Sequence, residues 1–500
     1  MQLRIGRSSR PADSRLVRRV FMSALGGVYL VAFTSLRPQV RGLYGRRGIR
    51  PVASYLDAVR PRLPSWRERV RRVPTVFWVD ASDAALTRAC SAGQVGAGLL
   101  MLGVAPRVTS AALWALYLSF VSVGREFLSY QWDALLLETG LHATIVAPPG
   151  VRSRTDESPP LAAVALMRWL VFRLYFQSGL CKLQSGDPTW LGCTACAYHF
   201  QTQPLPTRLG WHVHHLPLRF QRLATLVALT IELVVPFLAF APRRARRASF
   251  PVLSGLQGLI AGTGNYGFFN LLTVVASLWL LDDEPLLGVL PARKLPSRRA
   301  PWWHRLGITL AAVPVAALSA SQLLLRLRPR WQPPRALERL QIAAAPLCSV
   351  NSYGLFAVMT TRRPDIIVEG SMDGVEWREY GFRYKPDDTR KPPRWVAPHQ
   401  PRLDWQMWFA ALEYPPPWFE RFLLRLLEGA PDVLSLLERN PFPERPPRYV
   451  RALLYDYRMT DVATRRRTGA WWRRDLLGVY FPECTLAATG APRTASVSAG

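Results

Sequence analysis

Several residue types are scarce in this 500-residue chain, and each shortage excludes something. Six cysteines are too few for a disulfide scaffold. Four asparagines (Asn265, Asn270, Asn351, Asn440) leave no N-x-S/T sequon. Among 64 basic residues only Lys182, Lys294, Lys385 and Lys391 are lysine. That bias toward arginine, with 43 prolines, is a composition signature, so the net charge of +30 is a weak guide to partners. Catalytic signatures are missing as well. There is no G-x-S-x-G elbow, no phosphate-binding Gly-Lys-Ser/Thr loop, no HExxH, and no G-x-G-x-x-G after a strand. Arginine runs such as Arg465-Arg466-Arg467 lack a recognition fold and read as solvated or lipid-facing charge, with no nucleic-acid partner. No repeat of 20–50 residues is evident.

Apolar residues are abundant, at 49% of the chain, and they lie in membrane-length blocks. A basic tail over 1–15 runs into VFMSALGGVYLVAFTSL. Arg37, Pro38 and Gln39 follow in place of a small-residue cleavage site, so this is read as an uncleaved first transmembrane helix. Further blocks at 89–105, 108–124, 128–147, 161–183, 220–241, 248–263, 266–281 and 305–325 predict an α-helical polytopic membrane domain over 16–330. Eight or nine transmembrane helices are expected, with 128–147 short for a span. Arg243, Arg244, Arg246 and Arg247 put their loop in the cytoplasm. Counting from there leaves the N-terminus inside, loop 184–219 outside, loop 282–304 inside and everything after 325 outside. The same count leaves the Arg-rich loop 37–85 outside, against the positive-inside rule.

Beyond about residue 345 the texture changes to a β-rich α+β soluble domain over 345–487. SVNSYGLFAVMT, DIIVEGSMDGVEWREYGFRY, RYVRALLYDYRM and AWWRRDLLGVYF are strand-like. LDWQMWFAAL, WFERFLLRLLEG and PDVLSLLERN are helical. Small polar residues over 488–500 predict a disordered tail.

Several strings together resemble the lipase maturation factor family. They are FLSYQWDALLLETG, DPTW…YHFQTQPLPT, IELVVPF, GNYGFFNLLTVVASLWLLDD, VNSYGLF, RLDWQMWFAALE, LLERNPF…RPPRYVR and WWRRDLLGVYFP, in family order over most of 20–485. The resemblance implies a multi-pass protein of the endoplasmic reticulum membrane in eukaryotes, or of the plasma membrane in a bacterial member. It also implies a client that is a secreted protein, a lipase by family, and no cofactor. The membrane half is distantly similar to the vitamin K-dependent carboxylase superfamily.

Ionisable residues in apolar blocks are the first candidates for a site. Glu138 and His142 share a helix face, Arg168 and Arg173 lie in the 161–183 block, and Glu232 in IELVVPF. Either Glu138 or Glu232 pairs with Arg168 or Arg173 to fix the helices, or these groups line a polar cavity. Lys182 is an amine in a chain that writes arginine, so it is either a snorkelling lysine or a buried base. Its string SGLCKL loosely resembles the segment bearing the basic lysine of the carboxylases. Cys193 and Cys196 form a CxxC that would suit a folding factor, but no thioredoxin-like pattern surrounds it and Cys181 could scramble it. His199, His212, His214 and His215 match no zinc spacing, so no metal is expected and the segment reads as an interfacial loop. Cys348 and Cys484 bracket the C-terminal domain and could form a disulfide; two buried thiols are the alternative.

Two functional readings of different classes follow. In the first, the protein is a non-catalytic folding factor whose exported domain contacts clients through Trp405, Trp408, Phe409 and Trp418, unless these fill its own core. In the second, it is a membrane enzyme using Lys182 as base.

Overall fold

The computed structural model describes residues 13–151, 157–289, 298–486 and 492–494. The basic tail up to residue 12, Lys294 and nearly all of the expected disordered tail lie outside the described residues. Each apolar block forms a helix: α1 (Arg15–Leu36), α2 (Asp83–Met101), α3 (Pro106–Gly124), α4 (Gln131–Val146), α5 (Leu161–Gln184), α6 (Leu218–Leu233), α7 (Arg243–Thr263), α8 (Phe269–Ser277) and α9 (Trp302–Leu327). Four stretches are long and apolar enough to cross a membrane: α1, α3 with its continuation to Leu128, α6 continued to Phe240, and α9. Eight or nine such helices were expected; α5, for one, carries Arg168, Arg173 and Lys182.

Helix α1 shows why these helices associate. Val17, Phe21, Leu25, Val28, Ala32 and Leu36 recur at helical spacing and are buried. Gly93 of α2 lies so close to the Phe33 ring that a Cβ there would stand 2.5 Å from it. By contrast, α6 and α9 expose Leu223, Leu226, Phe237, Leu306, Leu310 and Val313, a surface suited to lipid and costly in water. Helix α4 is the opposite case. It buries Asp133, Glu138 and His142 at the centre of the bundle.

The C-terminal sheet is antiparallel in order β2–β1–β3–β4–β5, from β1 (Pro364–Ser371), β2 (Arg378–Glu379), β3 (Tyr449–Met459), β4 (Trp472–Leu486) and β5 (Pro492–Thr494). Helices α10 (Arg402–Ala410) and α11 (Pro417–Leu427) join it to the bundle. Ile366, Val368, Ala452, Phe419, Phe422 and Trp418 belong to the same apolar core as α1 to α4. One expectation fails. SVNSYGLFAVMT is an irregular segment, because its polar groups bond to helix side chains and not to a neighbouring strand.

Two ends of the bundle are distinct. At one, Asp283 accepts the backbone N–H of Arg15 and Val17 (3.0 Å each), and Arg243 and Arg247 clasp Asp282. There, too, Glu157–Ser158 pairs in parallel with Arg298–Arg299. At the other end, loop 37–85 touches the sheet domain. Arg425 donates to Gly48 O (3.0 Å), and Arg41 pairs with Asp432 (3.2 Å).

Candidate functional site at the joint of bundle and sheet

The residues that carry chemistry converge on the joint between the two halves, in three adjoining clusters. The first surrounds segment 348–354. Glu138, fully buried on α4, pairs with Arg173 of α5. Its other oxygen accepts from the Asn351 backbone N–H (2.9 Å), Asn351 Nδ2 (3.3 Å) and Tyr353 OH (2.7 Å). Arg173 in turn donates to Asn351 O at 2.8 Å. Gln177 accepts the Tyr353 N–H (3.0 Å), Gln131 both accepts from Gly354 N–H (3.0 Å) and donates to its carbonyl (2.9 Å), and Arg326 donates to Tyr353 O. A backbone without strand partners must find its hydrogen bonds elsewhere, and here three helices, α4, α5 and α9, supply them.

The second cluster docks α10. Arg402 forms a two-pronged pair with Asp133 of α4 (2.9 and 3.0 Å), both side chains 1% exposed. It also donates to Phe127 O (2.6 Å) and to Tyr117 OH (3.3 Å). Burial opposes the guanidinium charge, but Asp133 outweighs it, and Arg402 is held protonated above its ordinary range. The preceding turn is held from α1 and its continuation: Ser35 Oγ accepts the Gln400 N–H (2.8 Å), Gln39 Oε1 accepts the Arg402 N–H (2.8 Å), and His399 Nδ1 lies 2.9 Å from Ser35 Oγ. Trp405 stacks edge-on to Trp132 at 4.8 Å.

The third cluster is the loop 184–219. Asp187 accepts the Met359 N–H (2.7 Å), Trp190 donates to Phe356 O (2.9 Å), and Arg363 donates to Gln201 O (3.1 Å) and Pro204 O (2.9 Å). Asn265 donates to Leu205 O (3.0 Å) and Arg394 O (2.8 Å), and accepts from the Val396 (2.6 Å) and Ala397 (2.9 Å) N–H groups.

Each residue singled out from sequence has a definite place. Of the four ion-pair combinations weighed, Glu138–Arg173 forms. Glu232 instead pairs with Lys182 (2.6 Å), whose ammonium sits 5.0 Å from the Trp190 ring. Lys182 is therefore buried and engaged, not reaching for the interface. Arg168 donates to Trp279 O (3.0 Å), and His142 is buried without a hydrogen-bond partner for either ring nitrogen. Trp405, Trp408 and Trp418 are buried; Phe409 is exposed.

All six cysteines are free. Cys348 belongs to the segment held by the helices, whereas Cys484 lies on β4 and donates to Val450 O (3.3 Å), so the two do not close the sheet domain. Burial raises the Cys196 thiol, the opposite of an activated nucleophile. His199 Nε2 meets Tyr266 OH at 3.0 Å, and His215 Nδ1 meets Trp211 O at 2.7 Å. His214 meets His215 edge-on, and His212 lies edge-on against Trp211. No group of three His, Cys, Asp or Glu side chains among the described residues could hold a metal.

Sequence reasoning missed Asp133–Arg402, Asn265, Asn351 and Asp187 as joint residues. One signal was available for two of them. In a chain with four asparagines, Asn265 uses both ends of its amide on backbone groups and Asn351 donates from its amide nitrogen to the carbonyls of Ala134 and Cys348, roles few other side chains can fill.

Five of the strings quoted above, FLSYQWDALLLETG, DPTW…YHFQTQPLPT, GNYGFFNLLTVVASLWLLDD, VNSYGLF and RLDWQMWFAALE, contribute to this joint, and comparison with known proteins agrees with them. Residues 16–287 match the lipase maturation factor transmembrane domain, and residues 349–482 match the lipase maturation factor C-terminal domain. The chain is 35% identical to human (Homo sapiens) lipase maturation factor 2 over 95% of its length and 83% of the relative's. It is 34% identical to lipase maturation factor 1 of Bos taurus over 95% of the chain and 90% of the relative. No solved structure matches. With both halves matched in order and nearly the full length aligned, the chain belongs to the lipase maturation factor family.

Proposed function

We propose that this protein is a non-catalytic membrane factor that helps secreted client proteins, lipases among them, reach their active fold. Its sheet domain is held on the exported side of the membrane by the joint. One observation carries the reading: family strings of both halves meet in buried polar contacts that fix the sheet domain on the bundle.

Nine helices cross the bilayer on this reading, four of them in long apolar stretches. The start of α1, Arg243 and Arg247, Asp282 and Asp283, and Arg298–Arg299 gather at one end, as cytoplasmic segments would. Loop 37–85 and loop 184–219 gather with the sheet domain at the other. Contact with that domain supplies a reason for an Arg-rich loop to lie outside. By family the membrane is that of the endoplasmic reticulum, or the plasma membrane in a bacterial host.

The test is expression in cells lacking their own maturation factor, with a secreted homodimeric lipase as reporter. The full chain is expected to restore secreted lipase activity, and a chain lacking 345–487 is not. A full chain that reaches the membrane yet leaves the lipase inactive overturns the reading.

A further inference from the structure

Among the described residues, the outer edge of β4 is unpaired over most of its length. On its inner side β4 pairs with β3 from Trp472 to Cys484. On its outer side β5 pairs only with Cys484, Thr485 and Leu486. Among the described residues no strand pairs with the outer edge between Arg473 and Phe481. Leu476, Leu477 and Val479 are 59%, 51% and 67% exposed there. Natural sheets guard such edges with charge, proline or bulges, because unpaired N–H and C=O groups recruit another strand. This edge has two bulges, where Leu477 and Tyr480 fall between paired residues, but its proline, Pro482, stands only at the end.

Register gives the side chains at this edge a direction. Val479 lies opposite Leu453, and Leu476 opposite Tyr455, so two cross-strand apolar rows run out to the open side. An added strand would extend both rows while taking up the free backbone groups. The edge already accepts one strand at its far end, where β5 docks antiparallel. The near end is basic: Arg466, Arg467 and Arg473 are exposed, with Asp475 the acid among them.

We propose that the outer edge of β4, between Arg473 and Phe481, captures an extended apolar segment of an immature client as an added strand, one that carries acidic residues at the end beside Arg466, Arg467 and Arg473. This rests on the maturation role proposed above and names the surface that performs it. An unfolded or half-folded client offers unpaired strands, whereas a finished client has buried them, so such an edge releases its client as folding completes.

The test uses the full chain in lipid nanodiscs and a synthetic peptide of alternating valine and threonine, about ten residues long, with glutamates at one end. The peptide is expected to bind. A twin N-methylated at alternate backbone amides keeps its side chains but cannot pair as a strand, and is expected to bind at least about tenfold more weakly. Val479→Asp and Leu476→Asp, both at exposed positions, are expected to weaken the parent peptide similarly, while Val289→Asp, exposed near the opposite end of the bundle, leaves it unchanged. Equal binding of the methylated twin, indifference to Val479→Asp, or a dimer of this chain that Val479→Asp dissolves would each overturn the proposal. Lipase maturation in cells separates the two readings. Failure of the wild type there removes the maturation role, whereas a fully active Val479→Asp variant removes only the edge.

Discussion

Arg402→Ala tests the joint at its most buried charge. The side chain is 1% exposed, holds both oxygens of Asp133, and satisfies Phe127 O and Tyr117 OH. Removing it leaves a carboxylate stranded in a dry interior, which costs about 3–5 kcal/mol. At about 1.4 kcal/mol per tenfold, docking of the sheet domain weakens by roughly two to three and a half orders of magnitude. The assay inserts a protease site in the exposed linker between Arg328 and Pro334, cuts it in detergent, and follows co-elution of the two halves against urea. Wild-type halves are expected to stay together, and Arg402→Ala halves to part at much lower urea. The double change Asp133→Leu with Arg402→Met removes both charges and leaves neither unpaired, so it is expected to recover most of the loss. A single variant that behaves as wild type, or a double variant as weak as the two singles summed, refutes the reasoning.

The same logic applies at Lys182. Lys182→Ala is expected to destabilise the chain by several kcal/mol through the unpaired Glu232, and Lys182→Met with Glu232→Leu to restore stability with lipase maturation intact. Lost maturation in the stable double variant would revive a chemical role for the amine. His399 is expected to make the joint acid-sensitive. Burial, with Arg402 and Arg383 nearby, lowers its pKa from 6.5 to about 4. A histidine whose folded pKa is depressed contributes stability that is present above pH 6.5 and lost as pH falls toward 4, about 2 kcal/mol of it by pH 5. Asp404, raised to about 6 by burial, works in the opposite direction over part of that window. The difference in urea stability between wild type and His399→Asn, followed from pH 7 to 5, isolates the histidine; parallel curves would contradict it.

Much of the architecture was legible in the sequence, and the reasons differ by element. The apolar blocks predicted the helices because lipid-length runs of VFMSALGGVYLVAF type have one stable solution. RYVRALLYDYRM and AWWRRDLLGVYF predicted β3 and β4 because alternation survives burial on one face. SVNSYGLFAVMT misled, since its polar groups are met by Glu138, Gln177 and Gln131, more than 170 residues away in sequence. Local periodicity cannot report such partners. The same is true of Lys182, which stood out by its rarity, while its counter-ion Glu232 was paired in sequence reasoning only with Arg168 or Arg173.

Amide hydrogen exchange over residues 348–354 in the intact chain tests the central claim most directly. These residues have no helix or strand, yet the N–H groups of Asn351, Tyr353 and Gly354 are each bonded to a side chain of α4 or α5. Protection matching that of the flanking helices, lost in Glu138→Ala, is the predicted result. Exchange at the rate of an unstructured peptide would show that the sheet domain is not held on the bundle in this way.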